Sequence, residues 1–395
     1  MSASRLALSW LVAAALLAAC GGGDPEVPGT TSPSGAPSTP GTFTAVVSFG
    51  DSLSDVGTYA PATSLAGDGS APYMGGKFTT NGATGTVWVE NLATSLGLMV
   101  TPAEVGFAGQ SVMCPVALQV PALAGTCTAY GQGGARVTDP VGIGNATGAL
   151  TVPVVTQIAN HLARFTSFTD SDLILVYAGN NDVFTQFGAF AAAAAQIQAQ
   201  AGAGAISADE ANRQLFAAQT AAQGEMKKAA LELAALVRNQ ILANGGKYVA
   251  VMTLSDIADT PFGNSPQVAP ARGVLTELSE IFNLWLREGL GGAPVRIIDT
   301  FELYKEAYAD PAAYGIVNNT VPACDAAVIS AITGGQVTDG SSLFCNGTAG
   351  APYNGLRTGA DVDTWQFADS VHPTTGGHKL ISDTFRAQLQ LFGWL

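Results

Sequence analysis

Four short apolar segments, Ala45–Phe49, Leu173–Tyr177, Tyr248–Leu254 and Val295–Ile298, do most to restrict how this chain can fold. Each is continuous rather than alternating, which suits a strand covered on both faces; a strand with one face in water would alternate. The stretches between them are too long for hairpins, and the one after Tyr177 reads largely as helix. Ser207 with Glu210 makes a capping box, Ala230, Leu233, Val237 and Ile241 recur at spacings of three and four, and Gly245 and Gly246 are placed to stop the helix. Strand, helical crossover and strand make a βαβ unit, and the pattern continues with a helix predicted over Thr276–Glu288 and a last one from about Gly377 to Phe392. The expectation is an α/β fold of three layers, with a mostly parallel central sheet and helices on both faces.

The start of the chain has a different character. An apolar run from Leu6 to Leu17 follows a single arginine and has the length and grading of a secretory signal, too short for a stable membrane span. It ends at Leu17-Ala18-Ala19-Cys20, which resembles the bacterial lipoprotein box, where the cysteine is lipidated. Residues 21–41 are a Gly/Pro/Ser/Thr tract with almost nothing to bury, as a tether would be. The expected organisation is a signal peptide over 1–20, a flexible linker over 21–41 and one domain over 42–395. An incidental cysteine after an ordinary signal peptide is the alternative. Under the lipoprotein reading, the protein is exported and meets a membrane only through Cys20. Gly21, rather than aspartate, follows that cysteine, which is compatible with transport to an outer membrane.

Composition narrows the partners. Sixteen Lys and Arg against 30 Asp and Glu give a net charge of −14, and no basic cluster interrupts it, so nucleic acid is excluded as an expected partner. Apart from Cys20 there are Cys114, Cys127, Cys324 and Cys345. In an exported chain these make two disulfides; three connectivities are possible, and local loop closure favours 114 with 127 and 324 with 345. None has C-x-x-C spacing, and no metal site is expected. The two cysteine pairs fall in Gly- and Pro-rich stretches, 101–150 and 311–365, that read as surface loops able to shape a binding site.

In open α/β sheets ligands bind beyond the carboxyl ends of the strands, and three polar clusters fall near such positions. "FGDSLSDVG" follows the first strand and puts Ser52 where a hydroxyl can attack a carbonyl while turn amides shelter the oxyanion. "AGNND" follows the second strand and offers asparagine side chains as donors to developing negative charge. "ADSVHPT" precedes the last helix, with Asp369 three residues before His372. A serine nucleophile needs a base, and the base needs an acceptor that fixes its tautomer. Of the three histidines, His161 reads as a solvated residue on a helix and His378 as part of the last helix, which leaves His372 as the base. The first two clusters, taken alone, are also good turn chemistry.

Together, "GDSLSDVG", "GNND" and "DSVHPT" resemble the ordered blocks of the GDSL esterases and lipases of the SGNH hydrolase superfamily. "TTNGATGTVWVENLATSLGL", "AYGQGGARV" and "LSEIFNLWL" are similar to further family segments, so that the resemblance covers most of Val46 to Leu391. It implies a flavodoxin-like α/β/α fold. It also implies that Ser52 is the nucleophile, with its amide as one oxyanion donor, Asn181 and Gly134 as the others, His372 as the base and Asp369 as its orienting acid, with no cofactor. Gly133 stands beside Gly134 as the alternative donor. Two features depart from the family pattern: Ala129 stands where the second block usually has asparagine, and an alanine-rich run surrounds residue 200. The function expected is hydrolysis of small-molecule or lipid esters through an acyl-enzyme. A carbohydrate acetyl esterase and a non-catalytic tethered binding lipoprotein are the alternatives. Phe184, Phe187 and Phe190 fit either an acyl pocket or helix core, and their spacing favours core.

Overall fold

The computed structural model describes residues 35–63, 75–348 and 354–395. The leader, Cys20 and the tract through residue 34 lie outside the described residues. β1 (Ala45–Gly50) leads to α1 (Trp88–Ser95), an antiparallel hairpin of β2 (Glu104–Phe107) and β3 (Gln110–Met113), then α2 (Pro115–Gln119) and α3 (Val154–Phe165). β4 (Asp172–Tyr177), α4 (Asn180–Gly202), α5 (Ala208–Leu236), β5 (Tyr248–Met252), α6 (Arg272–Leu290) and β6 (Arg296–Ile298) continue the alternation. α7 (Thr300–Ala309), α8 (Ala326–Ile332) and α9 (Thr375–Leu391) complete it.

The four apolar segments are the four strands of one parallel sheet, in the order β1-β4-β5-β6, with helices on both sides. Phe49, Val176, Val251 and Ile297 lie in register across it. The first three of these are fully buried, as their unalternating sequence required. Gly50 ends β1 because nothing larger fits: a Cβ there would stand 2.2 Å from the Tyr177 carbonyl oxygen of β4. The second sheet-side approach to β1 comes from an irregular segment. Ser48 N donates to Thr128 O at 3.0 Å and Tyr130 N to Ser48 O at 2.8 Å, so residues 128–130 run beside β1 and deliver the glycines after them to its carboxyl end.

Ser207 caps α5 by accepting from Glu210 N, and the last helical turns after α5 end at Gly245 in the left-handed region, φ 97°. The alanine-rich run continues the helix that starts at Asn180, and α4, α5 and α6 pack against one another. Phe184 and Phe187 on α4 meet Phe262 edge-on at 5.4 and 6.2 Å. Phe187 is buried and Phe184 half-buried against the core, so the core reading holds for both.

His161 corrects the sequence reading. It is 2% exposed, stacked on Phe168 at 4.4 Å and edge-on to Tyr130 and Phe49, and among the described residues neither ring nitrogen has a hydrogen-bond partner. It extends the buried stripe Val154, Gln157, Ile158 of α3, and its helical spacing outweighs its polar neighbours. Burial, with Arg164 nearby, pushes its pKa down to about 4, so the ring is neutral and behaves as an aromatic core residue. His378 lies on α9 as expected. Its tautomer follows from its partners: Nδ1 accepts from Trp88 N at 3.3 Å, so Nε2 carries the proton and donates to Phe78 O at 3.1 Å.

The end of the tract before the domain is tied down. Trp394 Nε1 donates to Pro37 O at 2.8 Å, and Gly41 N donates to Trp394 O at 3.0 Å. Both cysteine pairs favoured by loop closure are disulfides, Cys114–Cys127 and Cys324–Cys345. Among the described residues no helix is long and apolar enough to cross a membrane.

Candidate active site

Ser52 opens a single tight turn, Ser52–Ser54, at the carboxyl end of β1. Asp51 caps that turn by accepting from Leu53 N at 3.1 Å, which bends the chain sharply enough to bring the Ser52 hydroxyl to the end of the sheet. The loop before α9 brings in the other two groups. Ser52 Oγ lies 2.9 Å from His372 Nε2, and His372 Nδ1 lies 2.8 and 2.9 Å from the two Asp369 oxygens. An ionised carboxylate can only accept, so Nδ1 carries the proton and Nε2 is left free to accept from Ser52.

Asp369 is fixed by backbone. Its Oδ1 accepts from Val371 N and His372 N, and its Oδ2 from Ser342 N at 2.9 Å. Burial alone would raise its pKa. The His372 charge and the bonds from His372 and Ser342 outweigh burial and hold the carboxyl well below the usual carboxylate range. Ser342 reaches Asp369 because the Cys324–Cys345 bridge closes a small core with Ile329 and Ala368, and Cys324 N donates to Ala368 O, next to the acid.

The groups expected as oxyanion donors lie on two further segments. Gly134 has φ 79°, and a Cβ there would stand 2.0 Å from Ile143 O, so both its conformation and its surroundings demand glycine. The neighbouring amide is already committed: Gly133 N donates to Asp55 Oδ2 at 2.9 Å. The amides of Ser52 and Gly134 meet no acceptor among the described residues. This separates the two glycines, because only Gly134 has an N–H to spare. Asn181 sits in the first turn of α4, 6% exposed, with one Nδ2 proton donated to Ala135 O at 2.9 Å and the second left over. The Ala129 departure has no consequence for this geometry, since that residue acts through its backbone, its amide donating to Thr101 O and its carbonyl accepting from Ala103 N.

Several contributors were not read from the sequence. Asp51 Oδ2 accepts from Asn180 Nδ2 at 3.0 Å and so ties the end of β1 to the start of α4. Asp182 accepts from Arg136 Nε at 2.9 Å and Val137 N at 3.1 Å, which ties the Gly134 loop to Asn181. Burial raises the Asp182 carboxyl, opposed by Arg136. Phe78 lies over the His372 ring at 4.7 Å and against Gly133, where a Cβ would stand 2.1 Å from it. The "GDSLSD" run carried the signal for Asp51 and Asp55, whereas nothing local marked Phe78 or Ser342.

Asp55 holds the glycine loop. Its Oδ1 accepts from Gly57 N and Thr58 N, and its Oδ2 from Gly133 N; burial pushes its pKa up to about 6, with these bonds pulling the other way. An asparagine has one acceptor oxygen for three donors, and its NH₂ would face an N–H. Asp55→Asn is therefore expected to displace Gly134 and lower kcat by up to about 10²-fold with little change in KM, because small misplacements cost rate rather than binding. Initial-rate kinetics on a soluble ester check this, and an unchanged kcat would detach Asp55 from the site.

Among the described residues no group of three or more His, Cys, Asp or Glu side chains is placed to hold a metal ion. Hydroxyl, imidazole and carboxylate in line, beside two free amides and an amide side chain, suit acyl transfer by nucleophilic attack on a carbonyl. Over 149 residues the chain is 32% identical to a Pseudomonas putida protein described as an uncharacterized protein in the trpE-trpG intergenic region; the match covers 36% of this chain and 22% of that protein's length. The profile of the GDSL-like lipase/acylhydrolase family matches residues 46–385. With the parallel sheet and the ordered blocks at its carboxyl edge, this assigns the chain to the GDSL-like lipase/acylhydrolase family.

Proposed function

We propose that the protein is a serine carboxylesterase of lipase-like type that works through an acyl-enzyme outside the cytoplasm. The observation that carries this reading is the line from Ser52 Oγ to His372 Nε2 at 2.9 Å and from His372 Nδ1 to Asp369 at 2.8 Å. Ser52 Oγ attacks the ester carbonyl carbon and His372 takes its proton. The Ser52 and Gly134 amides and the Asn181 side chain hold the oxyanion. Collapse breaks the bond to the alcohol oxygen, which takes the proton from His372. A water then gives His372 a proton, attacks the acyl-serine, and releases the acid with Ser52 protonated again. The steps draw on no group beyond the chain and water.

The extracytoplasmic part of the proposal rests on the apolar run Leu6–Leu17, the small residues ahead of Cys20, and the two disulfides. Lipidation at Cys20, with residues 21–41 as a tether, would keep the domain near a membrane. Labelling tests the site directly. A fluorophosphonate is expected to modify wild-type protein at Ser52, read by mass spectrometry, and to leave Ser52→Ala unmodified. Modification elsewhere, or none, would remove Ser52 as the nucleophile.

A further inference from the structure

The surface beside Gly134 is poor in charge. Residues 105–135 carry no charged side chain, although the whole chain has a net charge of −14. Next to them, residues 140–148 form a strap bonded to the glycine loop: Ile143 N donates to Gly134 O at 3.0 Å, and the Gly134 φ of 79° brings its Cα under the Ile143 carbonyl. The far end of the strap meets the β2–β3 hairpin, where Ala108 N donates to Gly148 O at 2.7 Å. Two large apolar residues on the strap are left in water, Val141 at 66% and Ile143 at 46% exposed. The nearest charges on its flank are engaged: Asp139 pairs with Arg136 at 2.5 Å, and Glu104 accepts from Gln132 Nε2 at 3.0 Å.

The chemistry decides which part of an ester meets the strap. His372 must protonate the departing alcohol oxygen, so the alcohol lies on the His372 side, where Phe78 covers the imidazole. The carbonyl oxygen faces the Ser52 and Gly134 amides. The acyl substituent then leaves on the side away from His372, along the Gly134 loop and onto the strap. An uncharged surface with exposed aliphatic side chains favours methylenes moved out of water over a polar or charged acid.

We propose that residues 140–148 are the acyl-side wall of the site, and that Val141 and Ile143 select esters of medium-length, unbranched, apolar acids over acetate. This rests on the acyl-enzyme reading above and adds the class of acid. The strap supplies affinity through side chains, while its hold on Gly134 runs through backbone. Side chain and backbone can therefore be separated by substitution.

The experiment compares wild type with Val141→Ser/Ile143→Ser on p-nitrophenyl acetate, butyrate and octanoate, each below its aggregation limit. Both substitutions keep the amides that bind Asp139 Oδ1 and Gly134 O. Wild type is expected to prefer octanoate. The double variant is expected to lose about tenfold in kcat/KM on octanoate and less than about twofold on acetate, the scale on which apolar pockets discriminate. An equal fall on both esters would mean that the strap only supports Gly134 and would overturn the proposal. So would an unchanged profile, or a wild type that prefers acetate. Fluorophosphonate labelling of the same samples keeps the two readings apart. A labelled wild type without octanoate preference defeats the acyl wall alone, whereas an unlabelled and inactive one defeats the hydrolase reading, and the acyl wall with it.

Discussion

Ser52→Ala and His372→Ala are each expected to lower kcat for a soluble p-nitrophenyl ester by about 10⁶-fold, and the double variant to fall no further than either alone. The reason is the 2.9 Å contact between Ser52 Oγ and His372 Nε2. A serine hydroxyl at neutral pH is a poor nucleophile without a base, and the imidazole has no proton to take without the serine, so the two act as one unit. What survives in either variant is the field of the free Ser52 and Gly134 amides and the Asn181 side chain. It should still place the residual rate above that of ester in buffer. Initial rates, with thermal melts to show that each variant is folded, check the result. Near-wild-type kcat in Ser52→Ala would end the acyl-enzyme reading.

Asp369→Asn is expected to lower kcat by about 10⁴-fold while leaving substrate affinity nearly unchanged. Oδ1 of Asp369 receives two backbone amides, so an asparagine would keep its oxygen there and turn its NH₂ toward Ser342 N and His372 Nδ1. A donor facing Nδ1 moves the imidazole proton to Nε2, where it blocks acceptance from Ser52. The wild-type pH profile follows from the same bonds. Because the Asp369 pKa is held below the unfolded value of 3.8, its stabilising contribution is present above that value and is lost as pH falls through the lower folded one. Loss of activity on mild acidification therefore does not report this carboxyl. A pH series of kcat/KM for wild type and Asp369→Asn reads both points. An asparagine variant with undiminished kcat would assign Asp369 to structure alone.

The sheet could be read from the sequence because its strands are covered on both faces and are therefore written as unbroken apolar runs, each followed by a polar turn. The same rule brought Ser52 and Asn181 to one edge. Segment 128–130 escaped it, since three residues of Thr, Ala and Tyr carry no period, and the pairing with β1 uses backbone that any sequence supplies. His161 was misplaced because a histidine among aromatic rings looks like a polar residue until its neighbours from β1 and the segment before β4 are known. Phe78 lies almost three hundred residues from His372, and Ser342 lies 27 residues from Asp369. Only the closed fold brings Phe78 to His372, and the 324–345 loop brings Ser342 to Asp369.

That loop ties the setting of Asp369 to the state of two thiols. Ser342 lies inside the ring closed by Cys324 and Cys345, and among the described residues its amide is the one donor to Asp369 that does not come from the acid's own turn. Ser52 sits at the sheet edge and His372 in the loop before α9, so their contact comes from the fold itself. The setting of the acid depends instead on two thiols having been oxidised. A chain with Cys324 and Cys345 reduced would keep the Ser52–His372 contact while Asp369 kept only the donors of its own turn, so the setting of this carboxylate against His372 carries a dependence on redox state.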